Sequence, residues 1–253
     1  MSNSARRVLT ALAILLAAVG GLSYLANRAY REGYLMLNNP PLTRYPVQGI
    51  DVSHHQGAID WAAATQDPRV RFAFIKATEG GDFVDGDFIR NWQGAQAAGL
   101  VRGAYHFFTF CRPGVDQAQN YLATVPAASD TLPVTIDLEF GGNCPKVPTQ
   151  QEIDAEVAAF VNAVQARDPR PPIFYVTPEF AAYMTNGQGN FPSHVTWLRD
   201  VFFEPDGPCT RWSIWQFAAN GRIDGITEPV DLNAFCGSEY AFQKLFGLSF
   251  RPR

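Results

Sequence analysis

The sequence predicts one α/β domain of the irregular (β/α)8 TIM-barrel type, preceded by a short apolar N-terminal segment. The length of 253 residues suits a single barrel of this kind. From Val47 onward, short apolar or β-branched runs alternate with helical stretches, which is typical of a parallel α/β fold. Polar residues recur at the ends of the predicted strands, where parallel barrels carry their functional sites.

Eight short apolar runs are predicted as strands, at 48–52, 72–76, 102–108, 133–137, 173–176, 194–198, 211–216 and 230–233. Helices are predicted at 87–98, 115–124 and 149–166. The last helix begins at Thr149 and has Glu152 three residues later, which is the pattern of a capping box. After residue 180, Gly, Pro and Asn dominate. We therefore expect a barrel that is regular in its first five units and made of strand and loop in the last three.

The N-terminus has the pattern of a membrane-spanning segment. Arg6 and Arg7 precede a nearly uncharged stretch at 8–26, which is followed by Arg28 and Arg31. About 19 apolar residues are enough to cross a hydrocarbon core of roughly 30 Å. Because the charged pair precedes the stretch, we expect an uncleaved anchor with its N-terminus inside.

A cleaved signal peptide is the alternative for this segment, since Ala18-Val19-Gly20 offers small residues for cleavage. The predicted organisation is a membrane anchor or signal segment at 1–26, a Pro- and Asn-rich linker at 27–46, and a barrel domain at 47–253. Either form of the segment places the barrel in the cell envelope, on the periplasmic or extracellular side, anchored to the inner membrane or secreted.

The charge of the chain is unevenly distributed. Residues 1–46 carry five Arg and one acidic residue, a net charge of +4, whereas the rest carries 15 basic and 23 acidic residues, a net charge of −8. An acidic domain argues against a nucleic-acid partner, because such binding depends on Lys and Arg neutralising phosphates. We expect a monomer that binds an uncharged or anionic polymer through short-range contacts.

Four cysteines, Cys111, Cys144, Cys209 and Cys236, allow three pairings. No Cys-x-x-Cys spacing suggests zinc, and export favours two disulfides over free thiols. The pairing Cys111–Cys144 with Cys209–Cys236 is favoured, because each pair would join neighbouring loops of the barrel.

Asp137 and Glu139, in Thr-Ile-Asp-Leu-Glu-Phe, form the strongest catalytic candidate. Two residues apart on a strand, they face the same side, with Cα atoms roughly 6.5–7 Å apart. Apolar neighbours make their burial costly, and two such carboxylates tend to have their pKa values pushed apart. Glycosidases need this division into one acid and one anion. An isolated Asp-x-Glu would be better interpreted as structural. Here polar residues also lie at the ends of the other predicted strands, and this favours a functional role.

Two further carboxylates are expected at the same mouth. Asp51 ends the first predicted strand and Asp231 lies on the eighth, and closure of a barrel makes these strands neighbours. As a pair they indicate a binding site for sugar hydroxyls. Lys76, near the end of the second strand, is predicted to contact substrate or to hold a carboxylate ionised; a structural ion pair with Glu79 or Asp51 is equally consistent with the sequence.

Four aromatic residues lie near strand ends. Tyr105 and Trp215 are predicted as stacking platforms for sugar rings, because each precedes a polar residue, and Gln216 beside Trp215 is a predicted substrate contact. Phe107 and Trp197 are assigned to the core, which is the usual place of aromatics in barrels.

The histidines give little support for a metal site. The adjacent His54 and His55 cannot both face one ion on an extended chain, and His106 and His194 are the only others. Hydrogen-bonded loop histidines are the preferred interpretation, and no metal or cofactor is expected.

Six segments together resemble the family-25 glycoside hydrolases, the barrel lysozymes of bacteria, phages and fungi. They are Gly-Ile-Asp-Val-Ser-His-His-Gln-Gly (49–57), Phe-Ile-Lys-Ala-Thr-Glu-Gly (74–80), Gly-Ala-Tyr-His-Phe-Phe (103–108), Ile-Asp-Leu-Glu (136–139), Ile-Trp-Gln-Phe (214–217) and Val-Asp-Leu-Asn-Ala-Phe (230–235). Each alone is weak, but six in the family order, over about residues 47–236, are specific.

The resemblance implies hydrolysis of the β-1,4 bond between N-acetylmuramic acid and N-acetylglucosamine in peptidoglycan. By matching position, Glu139 corresponds to the proton donor and Asp137 to the residue that orients or stabilises the acetamido group of the substrate. The resemblance also assigns Asp51 and Asp231 to the remaining acids of the cleft, and Tyr105 and Trp215 to its aromatic wall. Where the family often has Trp-x-Ala-x-Tyr, this chain has Trp197-Leu198-Arg199-Asp200, so the substrate contacts on that side differ.

Attack by the acetamido oxygen, with Asp137 stabilising the intermediate, is the preferred mechanism, although the sequence alone leaves retention or inversion open. Two alternative functions are a hydrolase of other N-acetylated glycans such as chitin and a membrane-tethered glycan-binding protein without turnover. The intact acid pair argues against the second alternative.

Overall fold

The computed structural model describes residues 3–142, 144–185, 195–207, 209 and 211–250. Within these residues a nine-stranded sheet has the order β1-β9-β8-β7-β6-β5-β4-β2-β3, and an additional β1–β2 pairing closes it. The elements are α1 (Asn3–Arg31), β1 (Gln48–Val52), α2 (Trp61–Ala64), β2 (Phe72–Glu79), β3 (Phe83–Val84), α3 (Phe88–Ala97), β4 (Val101–Phe107), α4 (Gly114–Thr124), β5 (Thr135–Leu138), α5 (Gln150–Gln165), β6 (Ile173–Val176), α6 (Pro178–Met184), β7 (Val195–Arg199), β8 (Ile214–Gly221), β9 (Val230–Phe235) and α7 (Glu239–Phe246).

The predicted barrel is confirmed. Strand β1 pairs in parallel with β2 and antiparallel with β9, so eight strands form a closed cylinder. The two-residue β3 is not part of the cylinder and pairs antiparallel with the last two residues of β2. Helices follow the first five barrel strands, and none of the described residues between β7 and β9 is helical. The barrel is therefore regular in five units and strand and loop in three, as the composition indicated.

The direction of β9 differs from the expected parallel pattern. It runs antiparallel to both β8 and β1. Only residues 222–229 connect β8 to β9, and a parallel pair needs a crossover of a dozen or more residues. The short connection therefore makes a hairpin.

The predicted elements correspond closely to the observed ones. Strands β1 and β6 have the predicted bounds, and the predicted capping box of Thr149 and Glu152 is present at the start of α5. The seventh predicted strand includes His194, which lies outside the described residues. Helices α2, α6 and α7 were not predicted; they have four, seven and eight residues, too short for a clear helical period.

Alternation along the strands divides the core into two layers. Ile50, Ile75 and Ile136 belong to the outer layer, between the strands and the surrounding helices. Phe72 and Phe74 belong to the inner layer, inside the cylinder. At the amino ends of the strands, α7 closes the cylinder from below, where Phe242 packs against Phe72 and Phe235. Side chains at the opposite, carboxyl ends of the strands remain free to form a site.

Helix α1 matches the predicted apolar N-terminal segment. The stretch Leu12–Arg31 has a mean hydropathy of 1.4 and is long and apolar enough to cross a membrane, and none of it is buried against the protein. The helix continues to Arg31, beyond the predicted boundary at residue 26.

The chain after α1 packs closely against the barrel. The Asn220 side chain, near the carboxyl end of β8, donates hydrogen bonds to the carbonyl oxygens of Tyr30 and Leu35. The turn at Gly33 has φ +73°, and a Cβ there would lie 2.4 Å from the Asn220 carbonyl oxygen, so only glycine fits. Farther along, Arg44 and Tyr45 both bond to the Glu204 carboxylate. These contacts hold the exit of the helix at the upper end of β8.

Replacement of Asn220 by alanine should loosen this attachment. The variant loses two hydrogen bonds and leaves the Leu35 carbonyl without its side-chain donor, while the Tyr30 carbonyl keeps the bond from the Gly33 N–H; the cost is about 1–3 kcal/mol. We expect faster cleavage by protease within residues 32–46, measured by limited proteolysis and mass spectrometry. Asn120→Ala is the matched control, because Asn120 also donates to two carbonyl groups, those of Gly80 and Phe83. Equal cleavage rates within 32–46 for the two variants would contradict the attachment.

Candidate active site

Polar side chains line the inner face of the barrel at the carboxyl ends of its strands. The group comprises Asp51 on β1, Lys76 on β2, Tyr105 on β4, Asp137 on β5 with Glu139 just after it, Tyr175 on β6, Arg199 on β7, Gln216 on β8, and Asp231 and Asn233 on β9. Because side chains alternate along a strand, residues two apart share this face, as Asp231 and Asn233 do. The structure thus brings together all the predicted site residues except Trp215.

Asp51 is the centre of a buried hydrogen-bond network. Its Oδ2 accepts hydrogen bonds from Gln216 Nε2 (2.9 Å) and Asn233 Nδ2 (2.8 Å). The Gln216 side-chain oxygen accepts a bond from the Tyr175 hydroxyl at 3.0 Å, and the Asn233 oxygen accepts one from Trp197 Nε1 at 2.7 Å. Five strands are joined in this way, so the network fixes the positions of their ends.

Asp51 and Asp231 form a carboxyl pair across the seam of the barrel. Burial raises the pKa of Asp51, but hydrogen bonds from Asn233 and Gln216 act in the opposite direction. The pKa of Asp231 lies well above its usual value, because of burial first and then the charge of Asp51 and the hydrogen bond between the two groups. The pair therefore holds a proton on Asp231, and Asp51 carries the charge.

Asp137 and Glu139 form the second carboxyl pair, at the end of β5. Burial raises the pKa of Asp137 well above its usual value, and the charges of Glu139 and Asp51 add to this. Burial also raises the pKa of Glu139, against the lowering effect of Arg199 and Lys76. Two coupled carboxyls in a poorly solvated place share a proton. The arrangement supplies one acid and one anion.

One oxygen of Asp137 is left without a partner. Its Oδ1 is fully buried and makes no hydrogen bond to any described residue. A buried acceptor of this kind is costly unless a donor reaches it. The position is suited to an N–H or O–H group of a bound substrate.

Two cations lie on either side of the acid pair. Lys76 makes an ion pair with Glu79 at 2.7 Å, which is the structural alternative that the sequence left open. Its ammonium group also lies 5.0 Å from the centre of the Phe107 ring. Arg199 lies on β7 on the other side, and its charge lowers the pKa values of Asp137 and Glu139. Both cations therefore limit how far burial raises these two pKa values.

The aromatic predictions are only partly correct. Tyr105 is partly exposed on the inner face. Trp215 lies in the outer layer, 2% exposed, next to Tyr45, and its Nε1 donates to the Asp200 carbonyl oxygen. The platform prediction for Trp215 is wrong, because alternation turns Trp215 outward where its neighbour Gln216 faces in.

Trp197 and Phe107 were both assigned to the core. Trp197 is buried in the inner layer, stacked on Phe74 at 4.4 Å between ring centres, so its assignment is confirmed. Phe107 is partly exposed at the mouth of the barrel beside Lys76, so its assignment is wrong. Phe107 is two residues beyond Tyr105 on β4 and therefore shares its inward face.

The histidines are held by hydrogen bonds. His54 Nδ1 lies 2.7 Å from the Asp85 carboxylate. His106 is fully buried between the Thr78 hydroxyl and the Gln117 side chain. His194 lies outside the described residues. Among the described residues, no group of three or more His, Cys, Asp or Glu side chains is arranged to hold a metal ion.

Both predicted disulfides are present. Cys111 pairs with Cys144 and Cys209 pairs with Cys236, with Cα–Cα distances of 5.7 and 5.5 Å. The first bond joins the loop after β4 to the segment after β5, five residues beyond Glu139. The backbone that carries the acid pair is therefore tied to a neighbouring loop.

Sequence reasoning missed Tyr175, Arg199 and Asn233 as members of the site. Each lies two residues beyond another inward-facing residue of its strand, such as Asp231 before Asn233. The alternation of side chains along each predicted strand is the signal that identifies them.

The fold and the two carboxyl pairs define the class of protein. A closed α/β barrel with coupled, buried carboxyls at the carboxyl ends of its strands is an arrangement that glycoside hydrolases use.

Comparison with known proteins identifies the family. The model of "Glycosyl hydrolases family 25" matches residues 50–226, and the chain belongs to this family and is a glycoside hydrolase. The chain is 36% identical to lysozyme M1 of Streptomyces globisporus, over 76% of this chain and 68% of that protein. It is 37% identical to the uncharacterized protein YegX of Escherichia coli (strain K12), over 77% of this chain and 71% of that protein.

Solved structures agree with the family. A family 25 glycosyl hydrolase from Bacillus anthracis superposes with a TM-score of 0.73 and 32% identity, covering 82% of this chain and 96% of that chain. The bacterial lysozyme from Streptomyces coelicolor has a TM-score of 0.69 and 31% identity, covering 79% and 96%. The family supports cleavage of peptidoglycan as the activity of this protein.

The buried His106 should make stability depend on pH. Burial lowers its pKa from 6.5 to about 4, so between these values the unfolded chain binds a proton that the folded chain does not. Its contribution to the free energy of unfolding is complete above pH 6.5 and falls as the pH drops towards 4, by about 2 kcal/mol between pH 7 and 5. The raised pKa values of the buried carboxyls act in the opposite direction.

The His106 contribution is therefore measured as a difference between variants. Urea unfolding at pH 7 and pH 5 should show a smaller loss of stability at low pH for His106→Gln than for the unchanged protein. His55→Gln is the control, because the His55 side chain is exposed. An NMR titration in which the His106 imidazole gains its proton above pH 6 would contradict the assignment.

Proposed function

We propose that this protein is a membrane-anchored muramidase, which hydrolyses the β-1,4 bond between N-acetylmuramic acid and N-acetylglucosamine in peptidoglycan. The observation that carries the proposal is the coupled pair of Asp137 and Glu139, in which one buried Asp137 oxygen lacks a hydrogen-bond donor. Among similar proteins, several are named for this activity, including the N,O-diacetylmuramidase of Chalaropsis sp, 31% identical over 157 residues.

Glu139 is the general acid of the proposed reaction. It is less buried than Asp137, at the open side of the pair, where a glycosidic oxygen can approach. Its raised pKa lets it keep a proton above the pH at which an ordinary glutamate has lost it. Glu139 gives this proton to the oxygen of the leaving sugar.

Asp137 positions the acetamido group of the muramic acid. The acetamido N–H donates to the unpartnered Asp137 Oδ1, and a hydrogen bond to a carboxylate favours its charged form. The proton that the pair shares then resides on Glu139. Binding of the substrate thus prepares the acid.

The reaction then proceeds in two steps. As Glu139 protonates the leaving oxygen, the acetamido carbonyl oxygen bonds to the anomeric carbon, and the Asp137 anion stabilises the positive charge of the cyclic intermediate. Glu139, now ionised, takes a proton from water, whose oxygen attacks the anomeric carbon and reopens the ring. Two displacements at one carbon give net retention of configuration.

The rest of the cleft binds the glycan through short-range contacts. Tyr105 offers a partly exposed ring, and the Asp51–Asp231 pair, with Gln216, offers oxygens and amides to sugar hydroxyls. Helix α1 would hold the enzyme in the cell envelope, on the outer side of the membrane that it spans. Disulfides fit that oxidising location. We infer a monomer that acts on wall glycan strands.

Replacement of Glu139 by glutamine should abolish hydrolysis. The amide cannot donate a proton to the leaving oxygen, so kcat should fall at least about 100-fold while the melting temperature changes little. Mass spectrometry of digested wall material measures the new muramic acid reducing ends. Glu239→Gln is the control, because Glu239 begins α7 at the far end of the barrel. Undiminished turnover in Glu139→Gln would refute its role.

The anomeric configuration of the first product tests the role of Asp137. NMR during the first minutes of hydrolysis should show the β-anomer, since the mechanism retains configuration. Asp137→Asn should lower kcat more than it raises KM, because the intermediate loses its stabilising charge. A first product of inverted configuration would rule the mechanism out. Release of chitin oligomers in preference to muramic acid ends would instead favour the chitinase alternative.

A further inference from the structure

Arg199 is a cation inside a cleft that is otherwise acidic. It is the last residue of β7 and lies beside Gln216 of β8 in the sheet register. Trp197, two residues earlier on the same face, is buried inside the cylinder. The Arg199 side chain therefore enters the mouth of the barrel above Trp197.

Arg199 has no bonded partner of its own. Its guanidinium makes no hydrogen bond or ion pair within 4 Å with any other described residue, although it is about half buried. Burial acts to lower the pKa of Arg199, but electrostatic interactions with Tyr175, Glu139, Asp231 and Glu179 over longer distances outweigh it and raise the pKa. The guanidinium thus stays charged, and its five N–H donors have no acceptor among the described residues.

No carboxylate of the described residues is bonded to Arg199. Glu139, Asp231 and Glu179 lie beyond ion-pair distance from its guanidinium. Glu79 pairs with Lys76, and Asp51 accepts from Gln216 and Asn233. A planar guanidinium with free donors binds a carboxylate through two parallel hydrogen bonds, and a substrate can supply that carboxylate.

We propose that Arg199 binds the free lactyl carboxylate of a muramic acid residue, so that the preferred substrate is glycan whose stem peptides have been removed. This inference rests on the proposed muramidase function. The lactyl group is attached to the ring carbon next to the one that carries the acetamido group. With the acetamido group at Asp137 on β5, Arg199 on β7 lies two strands away, roughly 10 Å from β5, a distance that its long side chain and the lactyl group can span together.

A stem peptide removes the charge that Arg199 would bind. The peptide is joined to the lactyl group through an amide, which is neutral and offers one oxygen rather than two. Hydrolysis of that amide restores the carboxylate. The class of reaction that must supply this substrate is therefore amide hydrolysis between the lactyl group and the peptide.

A purely electrostatic role of Arg199 makes a different prediction. If the charge served only to lower the pKa values of Glu139 and Asp137, its loss would shift the pH profile and slow hydrolysis of every substrate equally. A role in binding lowers kcat/KM for one substrate more than for another, in addition to any shift of the pH profile that all substrates share.

The test compares three glycans of equal length: strands without peptides, strands with peptides, and strands without peptides whose lactyl carboxylate has been converted to an amide. The full-length protein in detergent should hydrolyse the first with a kcat/KM at least tenfold above that for the other two. With each variant assayed at its own pH optimum, Arg199→Gln should lower kcat/KM for the first glycan roughly 10- to 100-fold more than for the other two, mainly through KM. Arg199→Lys keeps the positive charge but lacks the planar guanidinium that binds a carboxylate through two hydrogen bonds, so it should recover only part of the loss.

Arg90→Gln is the matched control, since Arg90 is 56% exposed on α3 and pairs with Asp87 outside the cleft. Equal losses of Arg199→Gln on all three glycans, with a shifted pH profile, would overturn the inference in favour of pKa control. A preference for peptide-bearing strands that disappears in Arg199→Gln would assign the anion to the peptide and overturn the lactyl assignment. Failure of the unchanged protein to cleave any of the glycans would instead refute the proposed function.

Discussion

The hydrogen bonds that Asp51 accepts from Gln216 and Asn233 hold the upper end of the barrel together. A buried carboxylate is tolerated only when donors satisfy it, so the ends of β1, β8 and β9 are fixed relative to one another. Tyr175 and Trp197 extend the network to β6 and β7. Because the catalytic pair lies on β5, next to β6, the geometry of the site depends on this closure.

The same burial that requires the network also sets the chemistry. Removal from water raises the pKa values of Asp51, Asp137, Glu139 and Asp231. In water, four such groups would all be ionised at neutral pH; here burial favours a protonated member in each pair. The cleft combines proton donors and anions, which hydrolysis of an aminosugar requires.

The attachment of the N-terminal segment adds a constraint from outside the cleft. Asn220, near the carboxyl end of β8, holds the turn after α1 at the same end of the barrel as the carboxyl pairs. The exit of the helix is therefore held at the open end of the cylinder.

The sequence by itself determined the barrel and the carboxyl pairs, and it favoured the disulfide pairing that the structure contains. Periodicity of two along the strands and the capping box before α5 are local signals, and Asp137 and Glu139 share a face whatever lies around them. The same alternation places Phe107 on the face of Tyr105 and Trp215 on the face opposite Gln216, so both wrong predictions came from judging these residues by type and not by strand face. Which face of β4 or β8 meets the inside of the cylinder is set by strand register.

Only the tertiary structure decided the direction of β9, the contacts of residues 32–46 with the barrel, and the isolation of Arg199. The direction of β9 follows from the extension of β8 to Gly221, which leaves only residues 222–229 for the connection. The other two depend on atoms distant in sequence. Asn220 holds the packed segment, and the guanidinium of Arg199 is unbonded because Glu139, Asp231 and Glu179 lie beyond ion-pair distance. A sequence shows which groups exist, but the pairing of charged groups in a cleft is settled by distance. Distance between remote residues is fixed only when the cylinder closes.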